Sequence, residues 1–129
     1  MGKRYLLDSN TIIDYIAGLY QGQALEWLNH LIDDEINVSI ITKIEVLSFD
    51  PSKDDNYHIL VDFFNVSNIL KLTDNIVNRT IQIRQKQKIK LPDAIIASTA
   101  IENELILVSR NTKDFINISN LEIINPYRI

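Results

Sequence analysis

Between Leu91 and Ser109 the sequence runs LPDAIIASTAIENELILVS. Ile95, Ile96, Ala97, Ala100 and Ile101 leave almost no polar face, so Pro92–Asn103 reads as a helix buried on every side. The stretch after it, Leu105–Ser109, is strongly strand-like. A buried helix feeding a strand restricts the fold to layered arrangements, and the rest of the chain repeats the alternation. RYLL (Arg4–Leu7), Asn37–Ile41, Ile69–Leu72 and Leu121–Ile124 read as strands. Asn10–Ala17, Gln21–Asp34, Thr42–Ser48, residues 53–65 and the stretch around Ile76–Arg84 carry helical spacing, with Ser9 or Asn10 capping the first. Strands alternating with helices predict a three-layer α/β/α domain around a mainly parallel sheet.

In such sheets the functional crevice lies beyond the carboxyl ends of the strands. Carboxylates recur there. Asp8 follows RYLL, Glu45 comes four residues after NVSII, Asp93 stands in the first turn of the buried helix, and Asn111 and Asp114 follow LILVS. Each has a local reading. Thr42 and Glu45 fit a capping box, with Glu45 in the first turn of its helix; Asn111 and Asp114 have a similar spacing. Pro92 fits the first helical position, Asp93 then favours the helix dipole, and Asp8 fits an Asx turn. Together they mean more. Carboxylates crowded at one edge repel one another and raise each other's pKa, and a cation is the natural counterweight. With oxygen donors and no cysteine in the chain, that cation is Mg²⁺ or Mn²⁺. Neither His30 nor His58 falls at a strand end, and His30 reads as a surface or boundary residue.

At 129 residues the chain suits one domain with a real core. Its 46% apolar content excludes disorder, and no apolar run approaches the ~20 residues of a membrane helix. The start, MGKRYLLDSN, has no apolar signal-peptide core, so a cytoplasmic location is expected. A net charge of −4 argues against non-specific coating of duplex DNA. Locally the balance reverses. Arg79, Arg84, Lys86, Lys88 and Lys90 occur without an acid between them, which fits either a solvated helix face or a phosphate-contacting strip.

LLDSNTIIDYI, ITKIEVL, KLPDAIIASTA and LVSRNTKDF resemble, in order and spacing, the four motif blocks of PIN-domain ribonucleases, and are most similar to the VapC toxins of toxin–antitoxin pairs. The resemblance covers nearly the whole chain, 1–129, as a single PIN domain. It implies Mg²⁺- or Mn²⁺-dependent endoribonuclease activity, a cognate antitoxin protein and a homodimer. Asp8, Glu45 and Asp93 match the family's core acids. At the fourth position many relatives have an acid where this chain has Asn111; Asp114 is the nearby carboxylate, which puts a second metal in doubt. Asn10 matches a supporting polar position. On this reading Arg84, Lys86, Lys88, Lys90, Arg110 and Lys113 steer RNA phosphates to the acids. Tyr15, Tyr20, Trp27 and the Ile59–Phe64 face supply apolar surface for core or partner.

Rival readings stay open. A general RNA-processing PIN nuclease has the same residues, and a non-catalytic RNA- or protein-binding module is encouraged by Asn111. Asp8-Ser9-Asn10-Thr11 loosely resembles the aspartyl loop of haloacid-dehalogenase-type phosphatases, but Asn10 replaces the second acid. A receiver domain would need an acidic pair after the first strand, and Asp8-Ser9 supplies none.

Overall fold

The computed structural model describes residues 2–129. Five strands and six α-helices alternate through it. β1 (Tyr5–Leu7), β4 (Ile106–Val108) and β5 (Ile123–Ile124) form one parallel ladder in the order β1-β4-β5. β2 (Asn37–Ser39) and β3 (Asn68–Leu70) form a second parallel ladder. The two meet where β1 lies beside β2. There the buried Asn37 amide takes the place of backbone pairing: its Nδ2 donates to Tyr5 O at 3.0 Å and to Glu35 Oε1 at 3.1 Å, and its Oδ1 accepts from Asn68 Nδ2 at 3.2 Å.

The strands are short, but their alternation sorts the core into two clusters. Leu7 and Val108 face one way, with Ile12 of α1 (Ser9–Ile16), Leu28 and Leu31 of α2 (Gly22–Asp34), and Leu60, Phe63 and Phe64 of α4 (Tyr57–Asn65). Leu6 and Leu107 face the other way, onto Ala94, Ile96, Ala97 and Ala100 of α6 (Leu91–Glu102). Helices therefore cover both faces, and the expected three layers are present. Tyr20, Phe63 and Phe64 are buried in the first cluster, Tyr15 and Trp27 pack against it while partly exposed, and Ile59 is exposed.

α6 is buried from Ala94 to Ala100, as its sequence requires. Its neighbour α5 (Asp74–Lys86) packs closely along it. Small side chains permit the approach, and their hydroxyls find partners inside it. Ser98 and Thr99 donate back to Ala94 O and Ile95 O, each at 2.7 Å, and Thr80 of α5 donates to Ser98 Oγ at 3.0 Å. Ala97, fully buried in the cluster with Leu6 and Leu107, has no room to grow: Ala97→Leu should overpack that core and lower unfolding free energy by about 1–3 kcal/mol, read by chemical denaturation.

Several local expectations need correction. The second strand ends at Ser39, and α3 (Ile40–Leu47) starts two residues before Thr42. Ser39 is the cap: its hydroxyl accepts from Ile41 N at 3.2 Å. No capping box forms, because Thr42 lies buried inside the helix with an unpartnered hydroxyl and Glu45 stands in the second turn. The expected helix over residues 53–65 divides into a 3₁₀ turn, Pro51–Lys53, and α4. Pro92 follows Leu91, the first helical residue, and Asp93 lies in the first turn as expected. Asp8, rather than Ser9 or Asn10, caps α1.

Candidate active site

Asp8 is the centre of a polar cluster at the carboxyl end of β1. Its backbone N–H donates to Val108 O at 3.0 Å, and as N-cap of α1 its Oδ1 accepts from Ser9 N at 2.8 Å. Its Oδ2 accepts from Ser109 Oγ at 2.8 Å and from Asn10 Nδ2 at 3.3 Å. Burial pushes the Asp8 carboxyl above its ordinary range and nearby Glu45 adds to this, while the bonds from Ser109 and Ser9 pull the other way. Glu45, exposed on α3, is joined to the same corner by Ser9 Oγ, which donates to its Oε1 at 2.9 Å.

Ser109, fully buried just beyond β4, ties these groups to the next loop. Its hydroxyl donates to Asp8 and accepts from Asn10 Nδ2 and Asn111 N, both at 3.0 Å. Asn111 Nδ2 in turn donates to Asp114 Oδ2 at 2.9 Å. The amide at this position thus holds the nearby carboxylate. The cap position of the turn Lys113–Phe115 falls on Thr112, which makes no side-chain cap bond, so the Asn111–Asp114 spacing serves a side-chain bond rather than a cap.

Asp93 faces the same edge from α6. Its carboxyl is raised to about 6 by partial burial and then by the charges of Asp8, Asp114 and Glu45, with Lys90 opposing. Helix-dipole stabilisation alone would lower it, so burial, reinforced by the neighbouring acids, outweighs the local capping role. Asp93 and Asp114 share a recess of about 480 Å³ with Arg84, Lys88, Lys90 and Lys113. A second recess of about 690 Å³, lined by Arg84, Lys86, Lys88, Ile81 and Leu91, adjoins it through Arg84, Gln87, Lys88 and Ile89.

Two basic residues go elsewhere. Arg110 turns away from the recess and pairs with buried Asp14, and Arg79 pairs with Glu102. His30 lines a hollow with Lys3, Arg4 and Tyr5 at the opposite end of β1, and His58 is exposed. The residues that sequence reasoning passed over are Ser9, Ser109 and Asp14. Ser109 had a legible signal: a hydroxyl ending the apolar run LILVS, where burial demands a partner.

Among the described residues, no three histidine or acidic side chains stand close enough to form a ready-made ion cage. The donors nevertheless fit a hard divalent cation in kind. All are carboxylate, hydroxyl or amide oxygens, the donors that a hard cation takes.

Fold and site define a class: a parallel α/β/α domain whose acids gather at the carboxyl edge of its strands. The PIN domain family model matches residues 5–121, and the chain belongs to that family. Among solved structures it is similar to a toxin–antitoxin complex from Klebsiella pneumoniae, at 30% identity and a TM-score of 0.75, covering 97% of this chain and 99% of that one. It shares its fold with DNA-bound VapBC from Salmonella typhimurium (21% identity, TM-score 0.80) and FitAcB from Neisseria gonorrhoeae (23%, 0.78), each covering 97% of this chain and 99% of the other. No curated protein sequence matches the chain. Among the described residues, no helix is long and apolar enough to cross a membrane.

Proposed function

We propose that the protein is the toxin of a type II toxin–antitoxin pair and hydrolyses RNA phosphodiester bonds as a Mg²⁺- or Mn²⁺-dependent endoribonuclease. The observation that carries the reading is the convergence of acids at one sheet edge: Asp8 is tied through Ser109 and Asn111 to Asp114, Ser9 holds Glu45 at the same corner, and Asp93 shares a recess with Asp114. Asp8 and Asp93 would hold the cation. Glu45, steadied by Ser9, would orient the attacking water, and Asp114, held by Asn111, would complete the ring. When bound, the cation supplies water activation and neutralises phosphate charge. The likeness to the Klebsiella toxin–antitoxin complex supports an antitoxin partner, and a homodimer belongs to the same reading.

The recess beside Asp93 supports the substrate class. Arg84, Lys88, Lys90 and Lys113 bring cations to the mouth of an acidic site, which a polyanion needs to approach it. In a non-cleaving background, Lys88→Glu should weaken binding of a labelled RNA oligonucleotide and shallow its log–log salt slope by about one unit. Unchanged affinity and slope would take the recess out of the RNA path.

The direct test is cleavage of an RNA pool by the purified protein with Mg²⁺ or Mn²⁺, against EDTA. Cleavage that persists in EDTA, or none with either metal, would count against the nuclease reading. In the latter case a binding module becomes the better account.

A further inference from the structure

Residues 126–128 reach back to α1, the helix that Asp8 caps. Asp14, on α1, is 4% exposed, and a buried carboxylate needs partners. It has two on the same oxygen: the Arg110 guanidinium, and the Tyr127 hydroxyl, which donates to Oδ2 at 2.9 Å. Tyr127 belongs to a closing 3₁₀ turn, Pro126–Arg128, which packs against α2. Its ring lies on that of buried Tyr20, centroids 4.5 Å apart.

Arg110 stands between Ser109, which bonds Asp8, and Asn111, which bonds Asp114. Its backbone N–H also donates to Asn10 Oδ1 at 3.2 Å. One turn of α1 thus grips this loop at successive points: Asn10 at Arg110 N, Thr11 Oγ1 at Val108 O (2.9 Å), and Asp14 at the Arg110 side chain. The first two bonds are short-range neighbours of Asp8. The third lies farther along the helix and is closed over by Tyr127.

We infer that Asp14, Arg110 and Tyr127 form a clasp of positioning residues, fixing the 109–114 loop so that Ser109 stays on Asp8 and Asn111 keeps Asp114 in the ring. The inference deepens the nuclease reading and rests on it for its consequence, but not for its physical test. It reassigns Arg110 from the RNA path to loop geometry. Groups that orient metal-binding carboxylates matter nearly as much as the carboxylates themselves.

The experiment compares wild type with Arg110→Ala, Arg110→Lys and Tyr127→Phe. Amide hydrogen exchange across Ser109–Asp114 reads the clasp even in a protein that binds no metal and cleaves no RNA. Exchange there should quicken in Arg110→Ala, less so in Tyr127→Phe, and return toward wild type in Arg110→Lys. Mn²⁺ affinity, followed by water-proton relaxation, should fall by about 10-fold or more in Arg110→Ala. On an RNA oligonucleotide kcat should fall while KM holds. Unchanged loop exchange in folded Arg110→Ala overturns the clasp. A raised KM with unaltered kcat and Mn²⁺ affinity also overturns it, and makes Arg110 an RNA contact instead. Absence of metal binding and cleavage in wild type defeats the nuclease reading alone.

Discussion

Asp93→Asn should lower single-turnover RNA cleavage by about 100-fold or more while making the metal-free protein more stable. A bound cation contributes several kcal/mol to phosphoryl chemistry, and about 1.4 kcal/mol is a tenfold change in rate. The opposite sign for stability follows from the site itself. Asp93 carries a charge that burial and its acidic neighbours disfavour, so at neutral pH the amide relieves repulsion that the carboxylate creates. Asp8→Asn should be similarly inactive. An asparagine can still accept from Ser9 N, so the start of α1 survives the change. Cleavage of a labelled oligonucleotide in Mn²⁺, with thermal denaturation in EDTA alongside, reads both halves. Cleavage at the wild-type rate in folded Asp93→Asn would remove it from the catalytic set.

Acidification should stabilise the metal-free protein and destabilise the metal-loaded one. The Asp93 carboxyl is raised from 3.8 to about 6 in the folded state. Between those values the folded chain holds a proton that the unfolded chain has released, so stability falls as pH rises through the window. The contribution is full below the unfolded value and gone once pH has passed about 6. Asp8 is shifted in the same direction. With saturating Mn²⁺ the dependence reverses, because the cation needs the carboxylates unprotonated and its stabilisation shrinks as protons compete. Melting temperatures from pH 4 to 8, with and without Mn²⁺, test this. Asp93→Asn serves as the control that isolates the Asp93 contribution. Curves of equal slope in wild type and Asp93→Asn would show that Asp93 does not titrate in this range.

The layered fold was legible because its signals are local and strong. An all-apolar helix and a β-branched run such as LILVS have few other places to go. The start of α3 was not, and the reason is physical. In NVSII the two isoleucines suit a strand as well as a helix, and only the Ser39 cap, formed with Ile41 N, decides between them. Asp8, Glu45 and Asp114 could be located because each comes soon after a strand of a parallel sheet, and Asp93 because it opens the buried helix. Their supports could not. The Ser109–Asp8 and Arg110–Asp14 contacts join residues about a chain length apart, 101 and 96 positions. A strip read by charge alone offers Arg110 to RNA, and cannot see the buried carboxylate with which it also pairs. Thr42 and Glu45 illustrate the converse: a spacing that fits a motif, on a helix whose register places it elsewhere.

The Asn37 bridge has a bearing on the geometry of the acids. β1 and β4 are locked in register by their ladder, so the corner built on Asp8 and Ser109 moves as a unit. Glu45 rides on α3, which follows directly from β2 in the other ladder, and side-chain amides rather than backbone pairs span the gap at Asn37. The span from Asp8 to Glu45 therefore rests on side-chain bonds, Asn37 to Tyr5 O and Ser9 to Glu45, whereas Asp8 and Ser109 sit at the ends of paired strands. Asn37→Ala would cut the first of these bonds without substituting any acid of the site.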